Sequence, residues 1–309
     1  MISKRLKKIS IMNKSFTLIE ILVVIVVIGV LSAFILVGMS SITSSANIAK
    51  GKAFLNSMDN SLLLSRVSEW KLDGNGTDSW SGKTATLVNS PTANPSCAQD
   101  SCYTFNGSSQ YAWIADDAVF NFGSYMSAFV WVKASPQNGL PVFDHWDYGT
   151  VNQRSWTIST GYASPYNGIK IILSDNGIAD SSHRKDFDTT AVAFDNNWHN
   201  IGFTWNNGTL LMYIDGKSVT YTSTGSLISN SLHNSTARLT MASYLSDGSP
   251  VSYSTGSIDD PRLYNQPIPT SEIQQTYFVG INKLFRNQGM GLNEFNDRLV
   301  ELKFNLSSR

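Results

Sequence analysis

Glutamate is scarce: the only five are Glu20, Glu69, Glu272, Glu294 and Glu301, so residues 70–271 contain none. Hydrolysis of glycosides runs on a pair of carboxylates, and the long middle of the chain offers only aspartates for it. Asp144 and Asp147 in "FDHWDYG" could in principle pair, with His145 between them. In a strand, alternation sends Asp144 and His145 to opposite faces, which makes a poor shared site. The four histidines (145, 183, 199 and 233) are scattered without metal-ligand spacing. His199 is expected to pack beside Trp198 at the start of a strand. These shortages argue against catalysis.

Cysteine is rarer still. Cys97 and Cys102 lie in "SCAQDSCY", a spacing that is not CxxC, and two sulfurs alone make a poor zinc site. A β-rich context and an export-type N-terminus favour a local disulfide pinning a hairpin or bulge, against two free buried thiols. Net charge is also lacking, with 23 basic and 23 acidic side chains. The balance is uneven: Lys4, Arg5, Lys7, Lys8 and Lys14 stand among the first fifteen residues without an acid. No basic stripe follows, so nucleic acid is not an expected partner.

Residues 16–39, "FTLIEILVVIVVIGVLSAFILVGM", form one apolar run. As a helix it would extend about 36 Å at ~1.5 Å per residue, enough for a hydrocarbon core about 30 Å thick. No A-x-A-like cleavage site follows. A basic leader is expected to stay cytoplasmic, which puts residues 40–309 outside. Glu20 does not suit a plain anchor, because a buried carboxylate costs about 2.5–3.5 kcal/mol even on a lenient insertion scale. After the run, Ile48, Leu55, Met58 and Leu62 define one apolar face of a helix over residues 42–66.

The segment "KSFTLIEILVVIVVIG" resembles the N-terminus of type IV prepilins and secretion pseudopilins. That resemblance implies cleavage between Ser15 and Phe16, N-methylation of Phe16, and an assembly role for Glu20 as the fifth residue of the mature chain. It also implies a prepilin peptidase and other pilin subunits as partners. In the family's logic Glu20 of one subunit meets the new amine of its neighbour, and pairing compensates a charge that would otherwise be buried alone. Ser15 stands where the family has Gly, and residue 37 is Val where the family has a mid-helix Pro.

From residue 70 to residue 265 short apolar or alternating runs ("YTFNG", "QYAWIA", "MSAFVWVKA", "WTIST", "IKIILS", "HNIGFTW", "TLLMYID", "ARLTMAS") are separated by turn signals. In "WNNGTLLMYIDGKSV", Asn207-Gly208 and Asp215-Gly216 mark two tight turns. Many strands at this spacing predict a sandwich or jelly roll. The segments "YTFNGSSQYAWI", "FVWVKA", "NNWHNIGFTWNNG", "MYIDGK" and "SIDDPRLYNQPIPTSEIQ" resemble the concanavalin A-like, laminin-G-type jelly-roll family. Pro261 occupies a position where that family has an apolar residue, and predicts an edge strand. Such domains bind sugars or proteins, or are hydrolases. By the same resemblance Asp73, Asp78, Asp259 and Asp260 are candidates for a structural Ca²⁺, against solvated turn aspartates. "DGNGTD" opens like an EF-hand loop, but Thr84 stands where the twelfth-position glutamate belongs. Trp146, Tyr148, Trp156 and Tyr162 cluster in the sequence with polar neighbours and are candidates for sugar stacking, against ordinary packing.

Residues 266–309 return to helical spacing. Ile273, Tyr277, Ile281 and Leu284 form one stripe, and Phe295, Leu299, Leu302 and Leu306 another, with Asn293 as the expected N-cap. This helical hairpin loosely resembles the oligomer-associated SHOCT motif, against simple capping of the β-domain. The organisation expected is therefore a leader (1–15), a pilin-like helix (16–69), a jelly roll (70–265) and a helical hairpin (266–309). The function expected is a non-enzymatic minor pilin or pseudopilin-like surface subunit, bound at the cell membrane or extracellular in a filament, and displaying a lectin-like domain for adhesion. The alternative is a single-pass, membrane-tethered module that binds carbohydrate or protein without entering a filament.

Overall fold

The computed structural model describes residues 18, 19, 21–28, 64–162 and 164–307. The chain divides into two units, Met1–Asn60 and Ser61–Arg309. In the first, residues 18, 19 and 21–28 are helical (α1, residues 21–28). Each of those residues is apolar, and each is between 49% and 85% exposed. A helix apolar all round is one that must be covered by something other than water. Among the described residues no helix is long and apolar enough to cross a membrane. Most of the expected span 16–39 lies outside the described residues, and so do Ser15, Phe16, Glu20 and the apolar face of Ile48, Leu55, Met58 and Leu62.

The second unit is built from strands. The first are β1 (Arg66–Glu69), β2 (Thr86–Val88), β3 (Thr92–Cys97), β4 (Asp100–Asn106), β5 (Tyr111–Ile114) and β6 (Tyr125–Lys133). Then come β7 (Pro141–Asp147), β8 (Gln153–Thr160), β9 (Ile169–Ser174), β10 (Arg184–Asp188), β11 (Trp198–Asn206) and β12 (Thr209–Ile214). The series closes with β13 (Lys217–Val219), β14 (Thr222–Ser226), β15 (Leu239–Met241), β16 (Tyr244–Ser246), β17 (Ser249–Val251) and β18 (Thr255–Tyr264). Two helices follow, α2 (Thr270–Arg286) and α3 (Leu292–Ser307). One sheet runs β13-β12-β11-β6-β18-β4-β3 with β1 also on β18, and the other runs β14-β10-β9-β8-β7-β15-β5-β2 with β16 and β17 beside β7. This is a mainly β jelly-roll sandwich, as the strand spacing predicts. Its first strand enters at Arg66, upstream of the boundary expected at residue 70.

Turn chemistry sets the hairpins. Asn207 and Gly208 both have positive φ (44° and 98°), as do Asp215 and Gly216 (53° and 75°). That is the geometry of a type I′ turn, whose twist matches the strands it joins. β11 accordingly pairs with β12, and β12 with β13. Cys97 and Cys102 form a disulfide across the β3–β4 turn. Pro261 is not on an edge strand. β18 has β6 on one side and β4 and β1 on the other, and its register slips between Asp259 and Arg262. A bulge takes the proline out of the ladder, so a residue without an N–H can sit in a central strand.

Between the sheets lies a dry aromatic core, with Phe143 edge-on to Trp156 at 5.1 Å and to Trp70 at 5.9 Å. The run "FVWVK" in β6 shows no alternation in its chemistry because both of its faces are covered. Val130 and Val132 join the inner core, while Trp131 belongs to a second cluster with Tyr277, Ile281 and Leu284 of α2. Trp131 stacks on Tyr277 at 5.6 Å. Gly280 permits this approach: a Cβ there would lie 2.1 Å from the Trp131 ring. The helical hairpin thus covers the outer face of the first sheet. α3 begins at Leu292, so Asn293 lies inside its first turn and does not cap it.

A polar cluster locks this hairpin down. His199, second residue of β11, holds Asp215 at 2.8 Å through Nδ1 and Asp195 at 3.1 Å through Nε2. Arg298 of α3 reaches the same Asp215 at 3.3 Å and Glu294 at 2.8 Å, and donates to the Tyr277 hydroxyl. Burial disfavours charge on His199, but its hydrogen bond to Asp215 and that carboxylate's charge prevail, so its pKa is raised. A raised histidine contributes stability that is complete below the unfolded value and fades as pH climbs through the folded one. The melting-temperature gap between wild type and His199→Gln should therefore shrink as pH rises from about 6 to about 9. A gap constant over that range would refute the charged-histidine account.

Candidate ligand-binding site

Among the described residues no helix of the second unit packs on the outer face of the second sheet. Here β7 and β8 pair Phe143 with Ile158, Asp144 with Thr157 and His145 with Trp156, and then the register shifts so that Trp146 faces Arg154. Ser155 is the extra residue. Thr157 and Arg154 are three apart and would sit on opposite faces of a regular strand. The bulge turns Arg154 to the side of Trp146, a re-aiming that bulges commonly perform next to functional sites.

The result is a pocket of about 350 Å³ whose walls include Trp146, Tyr148, Arg154, Tyr162, Arg184 and Tyr244. Trp146, Ile172 and Tyr244 pack as a small apolar cluster at its base. Tyr148 and Tyr162 are 42% and 49% exposed, so each ring keeps surface that a ligand could reach. Tyr148 meets Tyr244 edge-on at 5.9 Å, and the Lys170 ammonium lies 4.8 Å from the Tyr162 ring centre. Arg154 is buried and donates to the carbonyl oxygens of Gly177 (2.9 Å), Tyr148 (2.5 Å) and Gly149 (2.7 Å). Burial pushes its pKa down, although not into a range where arginine loses its proton. Arg184 is partly exposed and holds Asp186 through two parallel bonds of 2.7 and 2.8 Å. A second cavity of about 370 Å³, near Asn167, Asp188 and Thr189, has Tyr221 as its single aromatic wall.

Three of the four aromatic candidates therefore meet in one place. Trp156 does not: it is fully buried on the inner face, against Phe143 and Phe203. Its side is set by its pairing with His145, whose side chain points away from the face of Trp146. Arg154, Arg184 and Tyr244 carry no local sequence signal, being 30 to 90 residues apart or displaced by a bulge that the strand pattern does not announce. Asp144 and His145 do part to opposite faces, with Asp144 bonded to Thr157 and His145 against Trp156. Asp144 is fully buried, and that burial raises its pKa well above the usual carboxylate value.

The four aspartates named for Ca²⁺ also separate. Asp78 accepts from the Glu69 and Trp80 amides and the Ser81 hydroxyl. Asp260 faces Arg262, its nearest oxygen 2.7 Å from Nη2; burial, only partly offset by that guanidinium, pushes it up to about 6. Neither has lone pairs aimed at a shared centre. Asp259 differs: Oδ2 accepts from the Gln99 amide at 2.7 Å, while buried Oδ1 has no hydrogen-bond partner. Burial raises the pKa of Asp259, and repulsion from Asp260 and then from Asp73, which accepts from the Ser101 amide at 2.8 Å, adds to it. Of the four, Asp259 is the one with a buried carboxylate oxygen that has no hydrogen-bond partner among the described residues. Among the described residues no three His, Cys, Asp or Glu side chains are grouped to hold a metal.

Two family models match this chain. Residues 106–274, more than half of its length, match the concanavalin A-like lectin/glucanases superfamily, and residues 12–36 match the prokaryotic N-terminal methylation motif. The chain belongs to the concanavalin A-like lectin/glucanase superfamily. No curated protein matches it. Solved structures that do include the binding domain of Paraclostridial Mosquitocidal Protein 1 (14% identity, TM-score 0.53, covering 72% of this chain and 53% of that one). A botulinum neurotoxin serotype D ligand-binding domain in complex with N-acetylneuraminic acid is 15% identical, with TM-score 0.54, covering 72% and 52% of the two chains. The binding domain of botulinum neurotoxin DC in complex with rat synaptotagmin II is 17% identical, with TM-score 0.52 and the same coverage. The chain spans about half the length of these structures, and at such identity the likeness is one of fold.

Proposed function

We propose that this chain is a non-enzymatic, pilin-like surface subunit whose jelly roll binds glycans. The observation that carries the reading is the pairing of a prepilin-type N-terminus, matched at residues 12–36, with a lectin-like domain that opens an aromatic pocket to solvent. Exposed tyrosine faces over a buried Trp146 suit pyranose stacking. The similar toxin domains solved with a sialic acid or with synaptotagmin support a binding role. The apolar surface all round α1 supports burial in a membrane or among sister helices. The prepilin peptidase and other pilin subunits are the proposed partners of the N-terminus, and surface glycans those of the domain. A tethered module that stays out of filaments is the competing reading, and Glu20 separates the two.

In a filament Glu20 would meet the amine created at Phe16 of a neighbour. Glu20→Leu should therefore leave membrane insertion intact and sharply reduce the chain in sheared filament fractions. Mass spectrometry should find N-methylated Phe16 at the N-terminus of both forms, since the cut precedes it. Equal amounts of wild type and variant in the sheared fraction would favour the tethered module.

The non-enzymatic reading is supported by the want of glutamate across residues 70–271 and by the burial of Asp144. Polysaccharides incubated with the chain should be recovered uncut. Release of reducing ends that Asp144→Asn abolishes would overturn this.

A structural Ca²⁺ is proposed at Asp259 and Asp73. A ligand at ~100 times its Kd adds about 2.7 kcal/mol to stability, so melting curves in Ca²⁺ and in EDTA should separate. Asp259→Asn should remove the separation. Superimposable wild-type curves would return these carboxylates to a purely structural role.

A further inference from the structure

The pocket contains a charge that nothing beside it pairs. Arg154 is 6% exposed, and buried guanidinium groups ordinarily meet a carboxylate. Its bonds instead go to three backbone carbonyls and the Asn152 amide oxygen, and among the described residues its Nε–H has no hydrogen-bond partner. The acids nearest to it are engaged elsewhere. Asp147 accepts from the amides of Gly149, Asp247 and Gly248, and Asp247 from Thr150. They soften the field at Arg154 without forming an ion pair.

Arg184, on the same wall, is bound to Asp186, but that carboxylate is shared with Lys170 at 2.9 Å. Asp188 takes Lys170 as well. Two guanidinium groups thus stand in the wall of the pocket, one without an ion-pair partner among the described residues and one whose partner is divided. Around them stand the rings of Trp146, Tyr148, Tyr162 and Tyr244.

We propose that this pocket takes a saccharide bearing a carboxylate, with the sugar ring on the tyrosines and the acid group drawn to Arg184 over Arg154. The inference deepens the glycan reading above and rests on it. A planar guanidinium suits a carboxylate in direction as well as charge. A ligand's acid group would supply the counter-charge that Arg154 lacks. A neutral sugar would keep the stacking and leave that charge uncompensated. The volume of about 350 Å³ is at the small end for ligand pockets, which suits one or two sugar units.

The test uses the full chain in detergent, titrated with galacturonate trimers, sialyllactose and hyaluronate tetramers. Each is paired with its own methyl ester, which removes the charge and keeps the sugar. Free acids should bind at least about tenfold tighter than their esters, and raised ionic strength should narrow the gap. Arg184→Gln should lower the acids to the level of the esters, with an unchanged melting temperature; this residue is partly exposed, so its loss should spare the fold. Tyr162→Ser should weaken acid and ester alike. Acids and esters binding equally would overturn the charge inference and leave the glycan reading intact. Binding by no member of the panel would remove both.

Discussion

A buried guanidinium joins the beginning of the jelly roll to its end. Arg262 of β18 contacts Asp260 at 2.7 Å and Glu69 of β1 at 3.1 Å, and Glu69 also holds Arg66 at 3.3 Å. Taking these charges from water costs several kcal/mol per ion, of the order seen for buried pairs, unless each is matched. Matching requires the β18 bulge. Asp260 adopts a positive φ of 50° there, and the slipped register brings Asp260 and Arg262 together across Pro261. The strand that crosses the middle of the first sheet can therefore hold its charges only when β1 is in place. Burial raises the cost of ionising Glu69, and the two arginines overcome it, so its carboxyl stays below its usual value.

With β18 fixed, the two faces of the sandwich acquire different uses. The first sheet is covered on its outer side by α2, through Trp131, Tyr277 and the missing side chain of Gly280. A face closed in this way is unavailable to ligands. Among the described residues the second sheet has no such helix, and a register shift at Ser155 brings an arginine out onto it. Binding chemistry therefore collects where the packing leaves a face free and a bulge supplies a charge.

Much of the fold was legible in the sequence, and the reasons are local. Asn207-Gly208 and Asp215-Gly216 state their turns because few residues tolerate positive φ at both central positions. The Ile273, Tyr277, Ile281 and Leu284 stripe states one buried helix face. The site was legible only in part. Trp146 and Trp156 have the same chemistry and similar neighbours, yet one lines the pocket and the other the core, because the strand pairing sets Trp156 opposite His145 and so on the other face from Trp146. A bulge misled the reading of Pro261: a proline signals that a ladder bond is missing, and a bulge in a central strand removes it as well as an edge does. Arg184 and Tyr244 reach the pocket through tertiary pairing, which no spacing rule encodes.

The composition of the domain fits display outside the cell. Few charges over a Ser-, Thr- and Gly-rich surface leave little long-range field, so binding must come from short-range shape and from the few charges the fold concentrates. The pocket is such a concentration, with Arg154, Arg184 and Lys170 drawn around the tyrosines. A single shallow site of this kind gives modest affinity on its own. Repetition of the subunit along a filament would bring many copies to one surface, and effective concentration would then convert weak sites into firm attachment. On the proposed function, the N-terminal motif and the open sheet face would be two halves of one requirement, since a filament would supply the multiplicity that a small solvent-facing pocket needs.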